Sequence, residues 1–518
     1  MPAGTIQPSK TIAMPGLIPR STKSSMLGFV PGKQRRDLGY IKQTSQFRGF
    51  LWNGGKTDLL FTSLGALDAD GIEVDTVAIP STVKTGTLVE MVFSVTLDGP
   101  IDVLAVFDFN STGEDPILTI TATRAPVISG AIANIFFPHN WDQGFNEFLR
   151  WKTDVLIAHD RTEQRIKLRS RPRREWSLHY FESGAPRRLL ENYLAGKTMR
   201  YYLVPVWYDA RPIPTALPVG GDSIAIRTKE FEFHLDRPVA VFDGWDNYEI
   251  KTIKTMSDDL ITFNEPCIKE WPTGSLVAPL RYCRIIDSKR VNRFTADAAS
   301  YEVTAEALGE TLPELRTTPE LYETYPVCPF PAGWRDNAND LIGNKWVRLD
   351  NDTGVVQFDI QSDEPVFQRA AYFLVSGRAE ILEFSKFLAE QSGRLAPFWL
   401  TSDAREFELA FPVLAGDTSF TIHNIDYARS LAGSRARSYV EFAKKDGALI
   451  RRKIVGVTTL AGDLEKLDVD LAFSEGFADD DLDQIAWNEL VRFNADDIEL
   501  NWFTDETVET TIPVVALP

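Results

Sequence analysis

The five histidines are the first side chains to test for chemistry, because imidazole serves both as a general base and as a metal ligand. They are His139, His159, His179, His234 and His423. No two of them stand at the HExxH spacing that places two metal ligands on one face of a helix. The sequence therefore predicts no metal centre and no catalytic histidine, and each is expected to be a surface or core residue.

Other chemistry-bearing motifs are incomplete. Gly54-Gly55-Lys56-Thr57 ends like a phosphate-binding loop, but Phe50 stands where its first glycine is required, which favours a turn. The acidic run at 479–483 lacks the spaced ligands and the glycine of an EF-hand loop. The cysteines are odd in number, have no CxxC spacing and are expected to be buried thiols outside disulfides: Cys267, Cys283 and Cys328. With no GxSxG elbow either, we expect no cofactor and no enzymatic activity.

Tryptophan and arginine supply the remaining candidates. Flat indole rings can stack on sugars, but Trp176, Trp207 and Trp399 lie in or beside apolar strands, so we expect them to be structural. Alternation along a strand would place a row of basic residues on one face: Arg165, Arg169, Arg171 and Arg173. Such a face could contact DNA or another subunit. The net charge of −18 opposes general binding to nucleic acid and favours a subunit contact.

The positive charge is concentrated at the start of the chain. Residues 1–50 hold eight basic side chains and one acidic one, including Lys33, Arg35 and Arg36. Residues 1–48 are rich in proline, serine and glycine, which predicts an extended basic arm. Two interpretations stay open: a solvated tail, or an arm ordered on the acidic body of a neighbouring subunit, with the three basic residues as contacts.

The pattern of elements predicts a mainly β protein with α+β units. Short strands separated by turn residues indicate an N-terminal β-sandwich-like module. Two related β-rich repeats follow, each with one short helix, on either side of a proline-rich linker. The expected segments are arm 1–48, module 49–138, repeat unit A 139–305, linker 306–331 and repeat unit B 332–518.

The duplication depends on motifs that recur in the same order. Unit A has Tyr180-Phe181, Ser183-Gly184 and Val204-Pro205-Val206-Trp207, and unit B has Tyr372-Phe373, Ser376-Gly377 and Ala396-Pro397-Phe398-Trp399. A helix is predicted between the second and third motifs, from apolar residues at helical spacing. These residues are Leu189, Leu190, Tyr193 and Leu194 in unit A, and Ile381, Phe384, Phe387 and Leu388 in unit B.

With these motifs in place, the chain resembles tail proteins of tailed bacteriophages. The resemblance is carried by Thr162-Glu163-Gln164-Arg165 and Pro172-Arg173 before the strand of Trp176, and by Val491-Arg492-Phe493 and Asp496-Asp497-Ile498. It implies a distal-tail, tail-tip, collar-like or non-contractile tail-sheath component of the virion, assembled in the host cytoplasm. Such a protein would form a homo-oligomer, a trimeric or hexameric ring, and bind other tail proteins. Passage of DNA through the ring is left open.

Two alternatives to a structural ring protein remain. One is a receptor- or glycan-binding tail component that uses the N-terminal module. The other is a glycan-degrading tail enzyme, which is disfavoured because no short β-helical repeat is present. No apolar run is long enough to span a membrane, and we expect neither a transmembrane helix nor a secretory signal.

Overall fold

Strands dominate the protein. The computed structural model describes residues 11–13, 27–30, 35–41, 44–76, 78–97, 102–113, 115–124, 132–158, 161–169, 171–196, 201–286, 290–308, 319–333, 339–343, 346–350, 352, 354–360, 365–435 and 437–517. With 54% strand and 9% helix, it confirms the mainly β, α+β fold class.

The N-terminal module consists of two five-stranded sheets around an apolar core that includes Leu51, Phe61 and Phe93. One sheet has the order β1-β8-β4-β2 with β6 on β8, and the other the order β3-β10-β9-β5-β7. The strands are β1 Thr11–Ala13, β2 Leu27–Val30, β3 Arg35–Ile41, β4 Ser45–Asn53, β5 Leu59–Leu67, β6 Ile72–Asp75, β7 Ser81–Val83, β8 Thr87–Val95, β9 Asp102–Ser111 and β10 Ile117–Arg124.

The expected extended arm at 1–48 is wrong where the structure describes it. Strand β2 pairs with β4, β3 pairs with β10, and β4 itself crosses the predicted boundary. Ile41 is buried, and the ring of Phe47 stacks on Phe93 with centroids 4.9 Å apart. This segment is rich in proline, serine and basic residues, so its few apolar side chains gave no strand pattern in the sequence. Among those apolar side chains, Ile41 and Phe47 nevertheless pack on the core of the module.

Unit A, β11–β24, begins before the predicted boundary at 139, because β11 pairs with β16. It has helix α1, Gly184–Ala195, between β15 and β16, and short 3-10 turns at Trp141–Gln143 and Trp207–Asp209. Its strands are β11 Ile132–Asn134, β12 Phe145–Arg150, β13 Thr153–Ile157, β14 Glu163–Lys167, β15 Arg173–Ser183, β16 Tyr201–Pro205, β17 Arg211–Pro212, β18 Ser223–Ile224, β19 Pro238–Phe242, β20 Tyr248–Ser257, β21 Leu260–Phe263, β22 Leu276–Ile285, β23 Arg290–Arg293 and β24 Ala298–Ala307. The hairpin of β25 Leu321–Tyr322 and β26 Tyr325–Pro326 lies in the predicted linker.

Unit B, β27–β38, has helix α2, Arg378–Gln391, between β30 and β31, a short helix α3, Tyr427–Ser430, and a 3-10 turn at Asp479–Asp481. Its strands are β27 Asp340–Gly343, β28 Trp346–Leu349, β29 Gln357–Ile360, β30 Val366–Ser376, β31 Phe398–Thr401, β32 Ser419–His423, β33 Tyr439–Lys444, β34 Leu449–Leu460, β35 Leu464–Val469, β36 Leu482–Phe493, β37 Asp497–Thr504 and β38 Thr507–Ala516.

The two predicted helices are confirmed, and each buries the apolar face read from the sequence. Helix α1 follows Ser183 and buries Leu190 and Leu194. Helix α2 buries Ile381, Phe384, Phe387 and Leu388. It ends where Ser392 and Gly393 both adopt positive φ, a backbone conformation that commonly terminates helices.

Strand pairing in the two units corresponds pair by pair. The strand before the helix pairs with β12 and β24 in unit A, and with β27 and β38 in unit B. The strand after the helix pairs with β22 in unit A and with β36 in unit B. Likewise β23 pairs with β24 as β37 pairs with β38, and β19 with β22 as β33 with β36.

Register corrects two residue correspondences that the sequence suggested. Because Ser183 and Ser376 both end the strand before the helix, buried Tyr180 corresponds to buried Phe373, and exposed Phe181 to exposed Leu374. Tyr372-Phe373 is therefore shifted by one residue from Tyr180-Phe181.

Trp207 and Trp399 are not equivalent either. Tyr202 lies opposite Cys283, and Phe398 lies opposite Val491, at matching places in the two sheets. Trp399 therefore corresponds to Leu203, whereas Trp207 lies beyond its strand in a 3-10 turn.

The two units share one continuous antiparallel sheet, because β12 of unit A pairs along its whole length with β37 of unit B. This spanning sheet has the order β27-β30-β38-β37-β12-β15-β24-β23. A single apolar core beneath it contains side chains of both units, including Trp176, Leu190, Phe387 and Trp502.

Candidate functional site

A cavity of about 400 Å³ lies where unit B meets unit A. Strands β12 and β15 and the turn at Trp207–Asp209 supply its unit A wall, together with the loop residues Phe231, Glu232 and His234. Helix α2 and strand β37 supply the unit B wall. The cavity is therefore formed by segments that are far apart in the chain and meet through the spanning sheet.

Arg174 is the central cation of this site. It is buried, and its guanidinium forms ion pairs with Glu147 and Glu232 and a hydrogen bond with the hydroxyl of Tyr208. The distance from Arg174 Nη1 to Glu232 Oε2 is 2.8 Å. Arg281 donates to the same Oε2 at 2.9 Å, so Glu232 lies between two guanidinium groups.

Trp502, on strand β37 of unit B, contacts this network of unit A side chains. Its indole Nε1 donates to Glu147 Oε2 over 3.1 Å, and its ring stacks on Tyr208 with centroids 4.0 Å apart. Glu147 thus accepts from Arg174 through one oxygen and from Trp502 through the other. Buried charges require such pairing, because an uncompensated charge in an apolar interior is costly.

Arg378, the first residue of helix α2, forms a second cross-unit contact. Its guanidinium pairs with the buried carboxylate of Asp209 and donates to the backbone oxygen of Asp505 over 2.9 Å. The same guanidinium lies 4.2 Å from the ring centroid of Phe231. A cation is unfavourable at a helix N-terminus, because that end of the helix dipole is itself positive. The ion pair with Asp209 compensates for this unfavourable position of Arg378.

The pKa shifts follow from burial and pairing. Burial raises the pKa of Glu147 and of Asp209 above their ordinary values, although Arg174 and Arg378 oppose the effect. Burial also disfavours ionised Glu232, but Arg174 and Arg281 outweigh it and hold the pKa of that carboxyl well below its usual range. Burial lowers the pKa of His234 to about 4, so this imidazole is neutral at neutral pH.

The arrangement matches three carboxylates with three guanidinium groups: Glu147, Asp209 and Glu232 with Arg174, Arg281 and Arg378. Each carboxylate has at least one arginine donor, which suits structural cohesion better than proton transfer to a substrate. Within the described residues, no group of three or more histidine, cysteine or acidic side chains is arranged to hold a metal ion.

Buried His139 and partly buried His179 lie side by side, apart from the cavity. The backbone N–H of His179 donates to His139 Nδ1 over 3.2 Å, so the ring proton belongs on His139 Nε2, 2.8 Å from the backbone oxygen of Gly144. Burial lowers the pKa of His139 to about 4. This histidine connects two backbone segments as a neutral imidazole. His159 lies outside the described residues.

The predicted row of arginines on one strand face is wrong. Strand β14 ends at Lys167 and β15 begins at Arg173, so the residues between them do not alternate on a strand. Arg169 donates to the backbone oxygen of Arg150 over 2.7 Å, and Arg171 lines the cavity. Arg165 lies on β14 beside Glu163, and exposed Arg173 lies 3.5 Å from Glu306.

The other predicted residues have varied positions. Arg35 and Arg36 are exposed on β3, where Arg36 lies 5.6 Å from the ring centroid of Phe47, and Lys33 is outside the described residues. Trp176, Trp207 and Trp399 are all buried. Asp479 accepts from Arg405 and from the backbone N–H of Leu409, within a short 3-10 turn.

Each unit also has a two-stranded hairpin on its surface, and these hairpins are candidate contact surfaces. Ribbon A, β13–β14, lies against unit B: Glu163 accepts from Arg492 over 2.7 and 2.8 Å, and Lys167 Nζ lies 3.1 Å from Ser392 Oγ. Ribbon B, β28–β29, occupies the same place in the strand order of unit B, and every residue of its two strands is exposed. Its large apolar side chains are Trp346, Val347, Leu349, Phe358 and Ile360.

Comparisons with known proteins found no matching family model and no matching curated protein. Among the described residues, no helix is long and apolar enough to cross a membrane. The resemblance to phage tail proteins accordingly stays an interpretation of the sequence.

Proposed function

We propose that this protein is a structural component of a bacteriophage tail, which forms a trimeric or hexameric ring that joins or sheathes neighbouring tail rings. In this proposal it resides in the virion tail after assembly in the host cytoplasm. Its partners are copies of itself and the adjoining tail proteins.

One observation carries the proposal: two units of matching strand order are joined edge to edge into one sheet. Strand β12 pairs with β37 over six residue pairs, and the buried contacts of Arg378 and Trp502 reinforce that junction. A chain built from two matching units that already associate through their edges is suited to further association by the same kind of edge. We interpret the matching units as an internal duplication.

A glycan-degrading enzyme is the competing function, because two carboxylates with opposite pKa shifts, Glu147 and Glu232, line one cavity. The contacts argue against it. Both oxygens of Glu147 accept from buried donors of the protein, and Glu232 is held between Arg174 and Arg281. A general acid must instead present its proton to the glycosidic oxygen.

The first test is the mass of the purified full chain by light scattering over a wide concentration range, at low and high salt. We expect a trimer or a hexamer, with ring-shaped particles in negative-stain electron microscopy. A strict monomer at every concentration would overturn the proposed ring. Release of reducing sugar from host polysaccharide, abolished by Glu147→Gln, would replace the structural function with the enzymatic one.

A further inference from the structure

The spanning sheet ends in two open edges. Among the described residues, β27 pairs with β30 alone and β23 with β24 alone, so each strand leaves one side of its backbone unpaired. Leu341 and Ile342 of β27 are 62% and 61% exposed, and every residue of β23 is exposed. Open strand edges are templates for pairing with another chain.

The β12–β37 junction within the chain shows how an edge of unit A pairs with an edge of unit B. In the β12–β37 junction, Phe145 lies opposite Trp502, Asn146 opposite Asn501 and Arg150 opposite Asp497. The guanidinium of Arg150 lies 3.1 Å from the Asp497 carboxylate. This junction joins the edge of unit A that carries β12 to the edge of unit B that carries β37.

Strand β27 is the unit B counterpart of β12. Glu147 of β12 lies opposite Trp176, and Asp340 of β27 lies opposite Arg369. Counting back equally from Ser183 and Ser376, Trp176 and Arg369 are equivalent positions, which makes Asp340 the counterpart of Glu147. The residue before each acid is an asparagine, Asn146 in unit A and Asn339 in unit B.

Strand β23 is the unit A counterpart of β37. Arg293 lies opposite Ala299 on β24, and Trp502 lies opposite Val508 on β38. Ala299 and Val508 are equivalent because each lies opposite the residue before the serine that ends the neighbouring strand. Asn292 is therefore the counterpart of Asn501. The asparagine pair of the intrachain junction thus recurs on the two open edges.

We infer that β27 of one copy pairs antiparallel with β23 of the next copy, with Asn339 opposite Asn292, and so repeats between chains the junction that β12 and β37 make within a chain. The inference rests on the self-association in the proposed function and names its interface. Each copy gives a different edge to each neighbour, so the contact is head to tail and forms a ring where the rotation closes.

The side chains are compatible with this register. It places Asp340 opposite Val291 and Leu341 opposite Arg290, so no like charges lie directly opposite each other. The unit B edge contributes one carboxylate, and the unit A edge contributes Arg290 and Arg293. Pairing with β23 of the next copy would supply hydrogen-bond partners for the open backbone groups of β27. It would also place neighbouring side chains beside exposed Leu341 and Ile342, which lie on opposite faces of the strand.

Ribbon B fits the same contact. Ribbon A, its counterpart, lies against unit B beside the β12–β37 junction and pairs Glu163 with Arg492. Repeating that junction between chains brings ribbon B onto unit A of the next copy, near Arg284, the counterpart of Arg492. A two-stranded ribbon with exposed apolar side chains on both strands is marginally stable alone and gains from such a surface.

The test uses full-length chains that each have one added cysteine, at Asn339 or at Asn292, in a Cys328→Ser background; the two cysteines that remain, Cys267 and Cys283, are buried. An Asn339→Cys chain and an Asn292→Cys chain carry different tags and are co-expressed. They are then treated with an oxidant or, in parallel, with a short bis-maleimide. We expect a covalent heterodimer in the mixture and at least a tenfold lower yield when either chain is expressed alone.

Two controls calibrate the yield. The chain with both Asn146→Cys and Asn501→Cys should cross-link within itself, which shows that this register can be bridged. A chain with Asn424→Cys, an exposed asparagine away from both edges, should not cross-link to the Asn292→Cys chain.

The outcomes separate the inference from the proposed function. Cross-linking in either single-variant sample at the yield of the mixture means that like edges pair, which overturns the inference. No cross-link in a protein that light scattering shows to be oligomeric also overturns it, while leaving the proposed ring intact. A strict monomer overturns both. A heterodimer that requires both chains supports the inference.

Discussion

Arg378, which begins the helix of unit B, forms an ion pair with Asp209 of unit A, and both side chains are buried. The pair joins the two units at the wall of the central cavity, next to the stacked rings of Tyr208 and Trp502. Buried pairs of this kind contribute less than their contact suggests, but removing one partner leaves an uncompensated charge. The junction between the units is therefore sensitive to single substitutions here.

Replacing Arg378 with methionine should destabilise the protein by about 3–5 kcal/mol, because the carboxylate of Asp209 then stays buried without its cation. Denaturant unfolding monitored by tryptophan fluorescence measures this change. Arg405→Met is the matched control, since Arg405 is half exposed and pairs with Asp479 at the surface. That control should cost less than about 1 kcal/mol. Equal effects of the two substitutions would contradict a special dependence of stability on the buried Arg378–Asp209 pair.

The buried imidazole of His139 should make stability fall with acid. In the unfolded chain a histidine takes up a proton near pH 6.5, whereas burial lowers the pKa of native His139 to about 4. The unfolded state therefore binds more protons between these values, and stability is lost as pH falls through that window. His139→Asn should reduce the slope of the unfolding free energy between pH 6.5 and 4, and the remaining slope includes the contribution of buried His234, whose pKa is also lowered to about 4.

The control for this slope is His423→Asn, because His423 is exposed at the end of β32. It should leave the pH dependence as in the unaltered protein. A slope for His139→Asn that equals the unaltered slope would refute the assignment.

Glu182 should act in the opposite direction. It faces the interior from β15, and burial raises its pKa from 4.5 to about 7. The native state keeps its proton where the unfolded chain has lost it, so this carboxyl reduces stability as pH rises from 4.5 through 7. Glu182→Gln should raise the unfolding free energy at pH 8 by on the order of 1 kcal/mol relative to its effect at pH 5.

Thermal unfolding at the two pH values measures the Glu182 effect. Glu383→Gln, at a half-exposed position on helix α2, is the control and should change stability equally at both. A stabilisation by Glu182→Gln that is the same at pH 5 and pH 8 would show that its charge is not responsible.

The one-residue shift of Tyr372-Phe373 relative to Tyr180-Phe181 gives a further prediction, about which side chains of β30 are buried. Phe373 is fully buried and Leu374 is 54% exposed, so Phe373→Ala should cost about 3–5 kcal/mol and Leu374→Ala about 0.5 kcal/mol or less. Denaturant unfolding of the two variants measures both. The alignment of Tyr372-Phe373 with Tyr180-Phe181 predicts the reverse order, since it would make Phe373 the counterpart of exposed Phe181.

Local patterns were sufficient for some features. The strand-rich class, the positions of α1 and α2 and their buried faces follow from periodicity within ten or fifteen residues. The recurrence of strand, helix and strand was also visible, because it depends on the order of elements. Arg174 directly follows Arg173 of the basic row, but nothing local distinguishes it from that exposed neighbour.

The type and order of the elements therefore follow from the sequence alone, since these depend on side chains close together in the chain. The register of β30, the separate positions of Trp207 and Trp399, and the burial of Arg174 with Glu147 and Glu232 follow instead from contacts between distant parts of the chain. Strand register depends on pairing with distant strands, and a one-residue shift exchanges the two faces of a strand. A charged side chain is buried where distant partners meet it, as Trp502 meets Glu147 and Arg378 meets Asp209 across the junction of the two units.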